Sequence, residues 1–218
     1  IGQFAFEGTQ LMVSRTGFTG DLGYELWIDP RYAEVLWDRL FEAGHLHGIT
    51  AMGDEALQML RVEAGFIQCK HEFMPANATV RSGHTRSPFE LGLGWLVDFN
   101  KPVFNGRKAL LTQKKNGHRY NLVKLDIDGN KPACDSYVFT KNKKQIGTVT
   151  SATWSPSAKA SIALATLEAP HSEPGEELLV EIYYQKELKW SRVMAKARVV
   201  KDVFYDPPRK RLTPPADF

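Results

Sequence analysis

The chain has 218 residues, 43% of them hydrophobic and 24% charged, with a formal net charge of +3 and a mean hydropathy of −0.33. These totals suit one large domain or two modest ones, and they exclude both a disordered acidic polymer and a chain built mainly of membrane spans, since no apolar run reaches the roughly 18 residues a membrane helix needs. Two cysteines, Cys69 and Cys134, are too few for a disulfide framework or a cysteine-rich zinc site, so a reducing, cytoplasmic setting is expected.

Residues 11–14 form a short apolar strand candidate, residues 15–23 a loop with three glycines, and residues 24–28 a returning strand. Asp29 followed by Pro30 has the chemistry of a helix cap and a first helical position, after which Tyr32, Val35, Leu36 and Leu40 recur at helical spacing until Gly44. A second helix starts near Gly53 or Asp54, carries Ala56, Leu57, Leu60 and Ala64 on one side, and stops at Gly65. Residues 66–88 show no period and read as an extended, partner-facing loop.

Around residue 120 the pattern changes to strands. Val123, Leu125 and Ile127 alternate with Lys124, Asp126 and Asp128, and further runs fall at residues 136–140, 146–152, 161–167, 178–184 and 190–201. Six short strands without a helix imply a closed or sandwiched β domain. The polar, Gly-ended stretch 113–117 is read as the boundary before it. The fold class is therefore α+β with a terminal β domain.

The common catalytic templates are absent: there is no Gly-rich phosphate loop, no His-Glu-x-x-His pair and no Ser nucleophile elbow. His45 and His47 lie two apart and read as surface residues. Cys69, His71 and Glu72 cluster in sequence, yet a zinc site needs further ligands from afar, so no metal is expected. Charge is uneven. Residues 1–60 hold three Lys/Arg against nine Asp/Glu, whereas residues 107–145 hold ten Lys/Arg against three Asp. A solvated basic face accounts for the second block; an anionic partner is the functional reading of the same asymmetry. Lys141, Lys143 and Lys144 are read as a charged hairpin tip rather than a nucleic-acid surface.

The most unusual segment runs from Ser14 to Leu26. A loop dense in Gly, Thr and aromatics that ends in a strand opening Tyr24-Glu25 can hold a flat ring while a fixed carboxylate accepts its N–H groups, or it can be a glycine-rich hairpin whose Glu25 merely faces solvent. Arg15-Thr16-Gly17-Phe18-Thr19-Gly20-Asp21-x-Gly23-Tyr24-Glu25-Leu26 resembles the Arg-Thr-Gly-aromatic-Thr-Gly-acidic-x-Gly-Tyr-Glu motif of the glycine cleavage T-protein family, the tetrahydrofolate-dependent aminomethyltransferases and their demethylase relatives. Leu60-Arg61-Val62-Glu63-Ala64-Gly65, Leu91-Gly92-Leu93-Gly94-Trp95 and Phe104-x-Gly106-Arg107 follow in the family's order, as does Gly147-x-Val149-Thr150-Ser151. The stretches Ser87-Pro88-Phe89-Glu90 and Phe204-Tyr205-Asp206-Pro207 look closer to the demethylases, such as those acting on dimethylsulfoniopropionate. The resemblance runs from about Val13 to Asp206 and corresponds to the later part of the family's length.

The resemblance implies a fold of three domains around a central folate pocket, the last a β-barrel. It divides the chain into residues 1–115, the later part of an incomplete folate-binding α+β domain; residues 116–208, a C-terminal β-barrel; and residues 209–218, a tail. It implies tetrahydrofolate as cofactor, held by a buried Glu at the position of Glu25, with Phe18, Tyr24, Arg61 and Trp95 as further pocket candidates. Arg61 is expected to pair with Glu63 or to reach an anionic ligand, the ion pair being the favoured reading. The implied reaction moves a methyl or aminomethyl group from a small-molecule donor to tetrahydrofolate. The family's catalytic Asp lies in an earlier region, so no catalytic residue is assigned. An N-terminal part of the same protein is the expected partner, without nucleic acid or membrane, and a fragment lacking it is expected to expose apolar surface. Two rivals are a folate-binding regulatory protein without turnover and an RNA-binding module using Arg209, Lys210 and Arg211.

Overall fold

The computed structural model describes residues 1–80, 83 and 85–212, which form two compact units: Ile1–Ala64 joined by a return segment that begins at Tyr205, and Gly65–Phe204. Residues 213–218 of the expected tail lie outside the described residues.

The first unit opens with a strand that the sequence pattern does not announce. Strands β1 (Gly2–Phe6) and β2 (Thr9–Ser14) pair antiparallel, and β3 (Glu25–Trp27) pairs with the far side of β2. The turn between β1 and β2 is Glu7-Gly8, with φ of 48° and 79°. Two left-handed residues match the twist of a two-residue hairpin, but Glu in place of Asn or Asp weakens the sequence signal.

Asp29 acts as expected: its Oδ1 accepts the Arg31 N–H at 3.0 Å. The chain first makes a 3-10 turn, Pro30–Tyr32, and only then helix α1 (Ala33–Gly44). Of the α1 residues only Leu36 is buried, while Val35, Trp37 and Leu40 remain exposed. At helix α2 (Asp54–Glu63) the expected apolar stripe is enclosed only at its end: Ala56, Leu57 and Leu60 are half-buried, whereas Ala64 is buried together with Arg61, Val62 and Glu63. The reason lies in what packs on its last turn. The Tyr205 N–H donates to Glu63 O at 3.0 Å, and a Cβ on Gly20 would stand 2.5 Å from Ala64 Cβ. The first unit also leaves Phe4, Trp27 and Trp37 more than half exposed.

The second unit holds the barrel and its approach. Within residues 66–88, read as an extended, partner-facing loop, the chain is tied down at Glu72. That side chain is 2% exposed; its Oε2 accepts the Gln68 N–H at 2.7 Å and its Oε1 accepts the Ser151 and Thr150 hydroxyls. The polar stretch 113–116, read as the boundary before the barrel, forms the last turn of helix α3 (Arg107–Asn116), closed by Gly117 at φ 82°. No α3 residue is buried, so the sequence lacks the apolar stripe that marks a helix.

Six strands follow: β4 (Tyr120–Ile127), β5 (Tyr137–Thr140), β6 (Gln145–Ser155), β7 (Ala160–Glu168), β8 (Glu177–Lys186) and β9 (Lys189–Val200). They close as an antiparallel barrel in the order β4-β7-β6-β5-β8-β9, as the alternation of side chains predicts. Leu125, Val138, Val149, Leu167, Val180, Ile182 and Val199 fill its interior. The β6 register shifts between Val149 and Ser151. This bulge turns Thr150 and Ser151 toward Glu72. The basic hairpin tip is neutralised in place, since Lys141 pairs with Glu177 and Lys144 with Glu168 at 3.0 Å.

Candidate functional site

The loop between β2 and β3 is closed by its glycines. A Cβ on Gly17 would lie 3.1 Å from Gly23 Cα, so the two ends of the loop cross at a distance that side chains would prevent. Gly20, at φ 78°, is the buried member and sits on Ala64 at the end of α2. Ser14 and Thr16 share a hydroxyl hydrogen bond of 2.6 Å where the loop begins.

From this closed loop the chain emerges at Tyr24 and Glu25. Phe18 is half-buried within the loop and Tyr24 is half exposed at its exit. Glu25 opens β3, opposite Ser14, on the outer strand of a three-stranded sheet. It is exposed, which corrects the buried carboxylate implied by the resemblance. The cause is local: β3 has three residues, all exposed, and among the described residues it pairs on one side alone. Its carboxylate is thus presented at an open sheet edge rather than enclosed.

Arg61 reaches the same unit from the end of α2. It is 2% exposed and donates from Nε to Gln58 Oε1 at 2.6 Å, one turn earlier on the helix. That contact holds the Arg61 side chain along its own helix. Because Gly20 packs on Ala64, the loop and the Arg61 end of α2 are neighbours. Trp95 belongs to the second unit, in the 3-10 turn Gly94–Leu96, and is 78% exposed. Arg107, also in that unit, holds a loop by donating to Lys101 O at 3.1 Å and Phe99 O at 3.2 Å. The second unit also carries a surface cavity of about 540 Å³ at the β4, β8 and β9 ends and a groove of about 1050 Å³ along α3; Arg107 lines the groove, and Glu25, Phe18, Tyr24, Arg61 and Trp95 line neither.

The residues that sequence reasoning missed are those that hold the loop. Asp21 Oδ1 accepts the Leu22 N–H at 2.8 Å, and its carboxylate accepts Nε of Arg209 at 3.0 and 3.1 Å together with Arg209 Nη2 and the Tyr205 hydroxyl at 3.0 Å. The Arg209 guanidinium, aided by Leu22 N–H and Tyr205 OH, holds the Asp21 carboxyl down at about 2. Arg15 donates from Nη2 to Leu212 O at the other end of the same loop. An acidic residue flanked by motif glycines and a cation run at 209–211 were the available signals.

Of the cysteine, histidine and glutamate cluster, Cys69 and His71 are exposed while Glu72 is buried against the barrel, so the three do not converge. Among the described residues no group of three His, Cys, Asp or Glu side chains is placed to hold a metal ion, and no helix is long and apolar enough to cross a membrane.

Comparison with known proteins gives this geometry a lineage. The model of the GCVT N-terminal domain matches residues 1–101, and that of the glycine cleavage T-protein C-terminal barrel domain matches residues 121–206. The chain belongs to the glycine cleavage T-protein family. Within it, a trimethylamine-oxide aldolase of Ruegeria pomeroyi is 40% identical over 207 residues, covering 94% of this chain and 24% of that protein. An aminomethyltransferase of Desulforamulus reducens is 34% identical over 201 residues, covering 92% of this chain and 50% of that one. The fold of the glycine cleavage system aminomethyltransferase T from Bartonella henselae, known from a crystal structure, agrees with a TM-score of 0.75 at 24% identity, over 90% of this chain and 50% of that one. The chain therefore spans between about a quarter and half the length of these glycine cleavage T-protein relatives.

Proposed function

We propose that this chain is part of a tetrahydrofolate-dependent one-carbon transferase that moves a methyl or aminomethyl group from a small-molecule donor to the folate. The observation that carries the reading is the closed glycine loop that delivers the free carboxylate of Glu25, on a short strand, to an open sheet edge. A reduced pterin presents an amino group and a ring N–H as two parallel donors. One carboxylate accepts both, fixing the ring's orientation as well as adding energy. Tyr24, half exposed beside Glu25, supplies an aromatic wall, and half-buried Phe18 belongs to the loop that leads to it. Buried Arg61 stiffens the helix end on which the loop rests.

The residues present suit the pterin's hydrogen-bonding edge, and Glu25 would hold it. When bound, the folate supplies the nitrogen that receives the one-carbon group; the chain's own share is to bind and orient it. Partners in this reading are the methyl or aminomethyl donor and further polypeptide of the kind that makes up the rest of the relatives, for which exposed Phe4, Trp27 and Trp37 provide apolar contact area. Two free, exposed thiols, Cys69 and Cys134, fit a reducing cytoplasm.

The test is calorimetric titration of tetrahydrofolate into the full chain and its Glu25→Gln variant. Exchanging the carboxylate for an amide removes a charge-assisted bond and leaves one N–H pair mismatched, so affinity is expected to fall by about 30-fold or more, on the order of 2 kcal/mol. Equal affinity in the two proteins rejects the role of Glu25. A chain to which tetrahydrofolate does not bind at all rejects the function.

A further inference from the structure

We propose that residues 205–212 are a strap that pre-forms the 15–23 loop for cofactor binding, with Arg209 as a positioning residue that acts through Asp21. The proposal rests on the folate reading given above and adds to it a part of the chain that acts through the loop.

The strap grips the loop at both ends. At the far end, Asp21 receives Arg209 and the Tyr205 hydroxyl, and Arg209 Nη2 also donates to Tyr205 OH at 2.6 Å, which closes a three-membered network. At the near end, Arg15 reaches Leu212 O. The strap is itself anchored and shaped. Tyr205 N–H bonds to Glu63 O on α2, while Asp206 takes Lys210 and Arg211 and so fixes the 3-10 turn Pro208–Arg211 that aims Arg209. A Cβ on Gly20 would also approach Tyr205 Cδ1 to 3.6 Å, so loop, helix end and strap meet at one point.

A loop with glycines at 17, 20 and 23 has a large conformational entropy when free, and a ligand that must order it loses that entropy from its own affinity. With both ends held, the ordering is done during folding. Only Leu22, Gly23 and Tyr24 separate Asp21 from Glu25, and the crossing of Gly17 and Gly23 passes any slack in the loop directly into the direction of the Glu25 carboxylate.

The experiment uses the full chain as wild type and as Arg209→Ala, Asp21→Asn and the exchanged pair Asp21→Arg with Arg209→Asp. Amide hydrogen exchange is read on residues 15–24 and on the barrel strands, and tetrahydrofolate affinity is read by calorimetry. In both single variants, exchange at 15–24 is expected to accelerate about tenfold with the barrel unchanged, and the dissociation constant to rise by about tenfold, because the ligand now orders the loop. Saturating tetrahydrofolate is expected to restore protection of the loop, and the exchanged pair to recover part of both effects. Unchanged exchange at 15–24 overturns the strap. Faster exchange with an affinity within about twofold of wild type overturns the positioning role, since loop order would then be decoupled from binding. Absence of folate binding by the wild type itself sinks the underlying reading, a result separable from either variant-specific failure.

Discussion

Glu72 decides the path of the segment that leads into the barrel. An isolated buried carboxylate is costly, yet this one has acceptors used on both oxygens: Gln68 N–H on one, and Thr150 and Ser151 hydroxyls on the other. Replacing it with Ala removes the shared acceptor and leaves a small void, so Glu72→Ala is expected to cost about 2–4 kcal/mol, read as a lower urea midpoint for the second unit. Glu72→Gln keeps one acceptor and is expected to lose less. An unchanged midpoint in the Ala variant would show that the loop is held by other contacts. At the same scale, the sequence conveys residue type but not environment. Nearness in sequence groups Glu72 with Cys69 and His71, whereas its Oε1 is taken up by two hydroxyls on β6, far along the chain. Glu25 was legible as a candidate from its motif; that it stands exposed depends on β3 being an edge, which no local pattern encodes.

Among elements, the barrel strands were legible because each carries period-two alternation with one face in a common interior, as Leu125 and Ile127 or Val180 and Ile182 show. Strand β1 and helix α3 were not. The first is announced only by an atypical turn, and the second buries none of its residues. Between β6 and β7 the ladder is unusually tight at Gly147, where a Cβ would come within 2.1 Å of Thr166 O and 3.0 Å of Leu167 Cα. Those atoms are backbone and have no rotamer to move into. Gly147→Ala must therefore pry the two strands apart beside the β6 bulge, and the expected loss of about 3 kcal/mol or more is measurable as a fall in the barrel's thermal midpoint. A variant as stable as wild type would mean that the bulge absorbs the added methyl.

For the molecule as a whole, the first unit is assembled from two stretches of sequence with the second unit inserted between them. Its closure is electrostatic at the strap, and this sets a pH limit. The carboxyls of Asp21, held by Arg209, and Asp206, held by Arg211 and Lys210, both lie at about 2, below their ordinary value of 3.8. A carboxyl lowered on folding adds stability that is fully present above the unfolded value and disappears as pH falls through the folded one. The strap is therefore expected to stay closed at pH 5 and to open between about pH 4 and pH 2. Pepsin, active across that window, should begin to cleave near Phe18 and Leu22 within it, ahead of the barrel strands. Cleavage at those sites that is equally fast at pH 5 would show that the ion pairs do not hold the loop. The barrel, closed through hydrogen-bonded strands around an apolar interior, has no such dependence on carboxylates at its centre.

That interleaved order has a consequence for how the protein is made. On the ribosome, the Thr-Gly-Asp turn is synthesised long before its arginine, and all of Gly65–Phe204 must be translated first. A chain that ends before Tyr205 contains every barrel strand yet leaves the earlier turn unfastened and protease-accessible. The turn's fastening therefore waits on residues far downstream, and a chain broken off before them is open to proteolysis at the very place where the vitamin is proposed to sit.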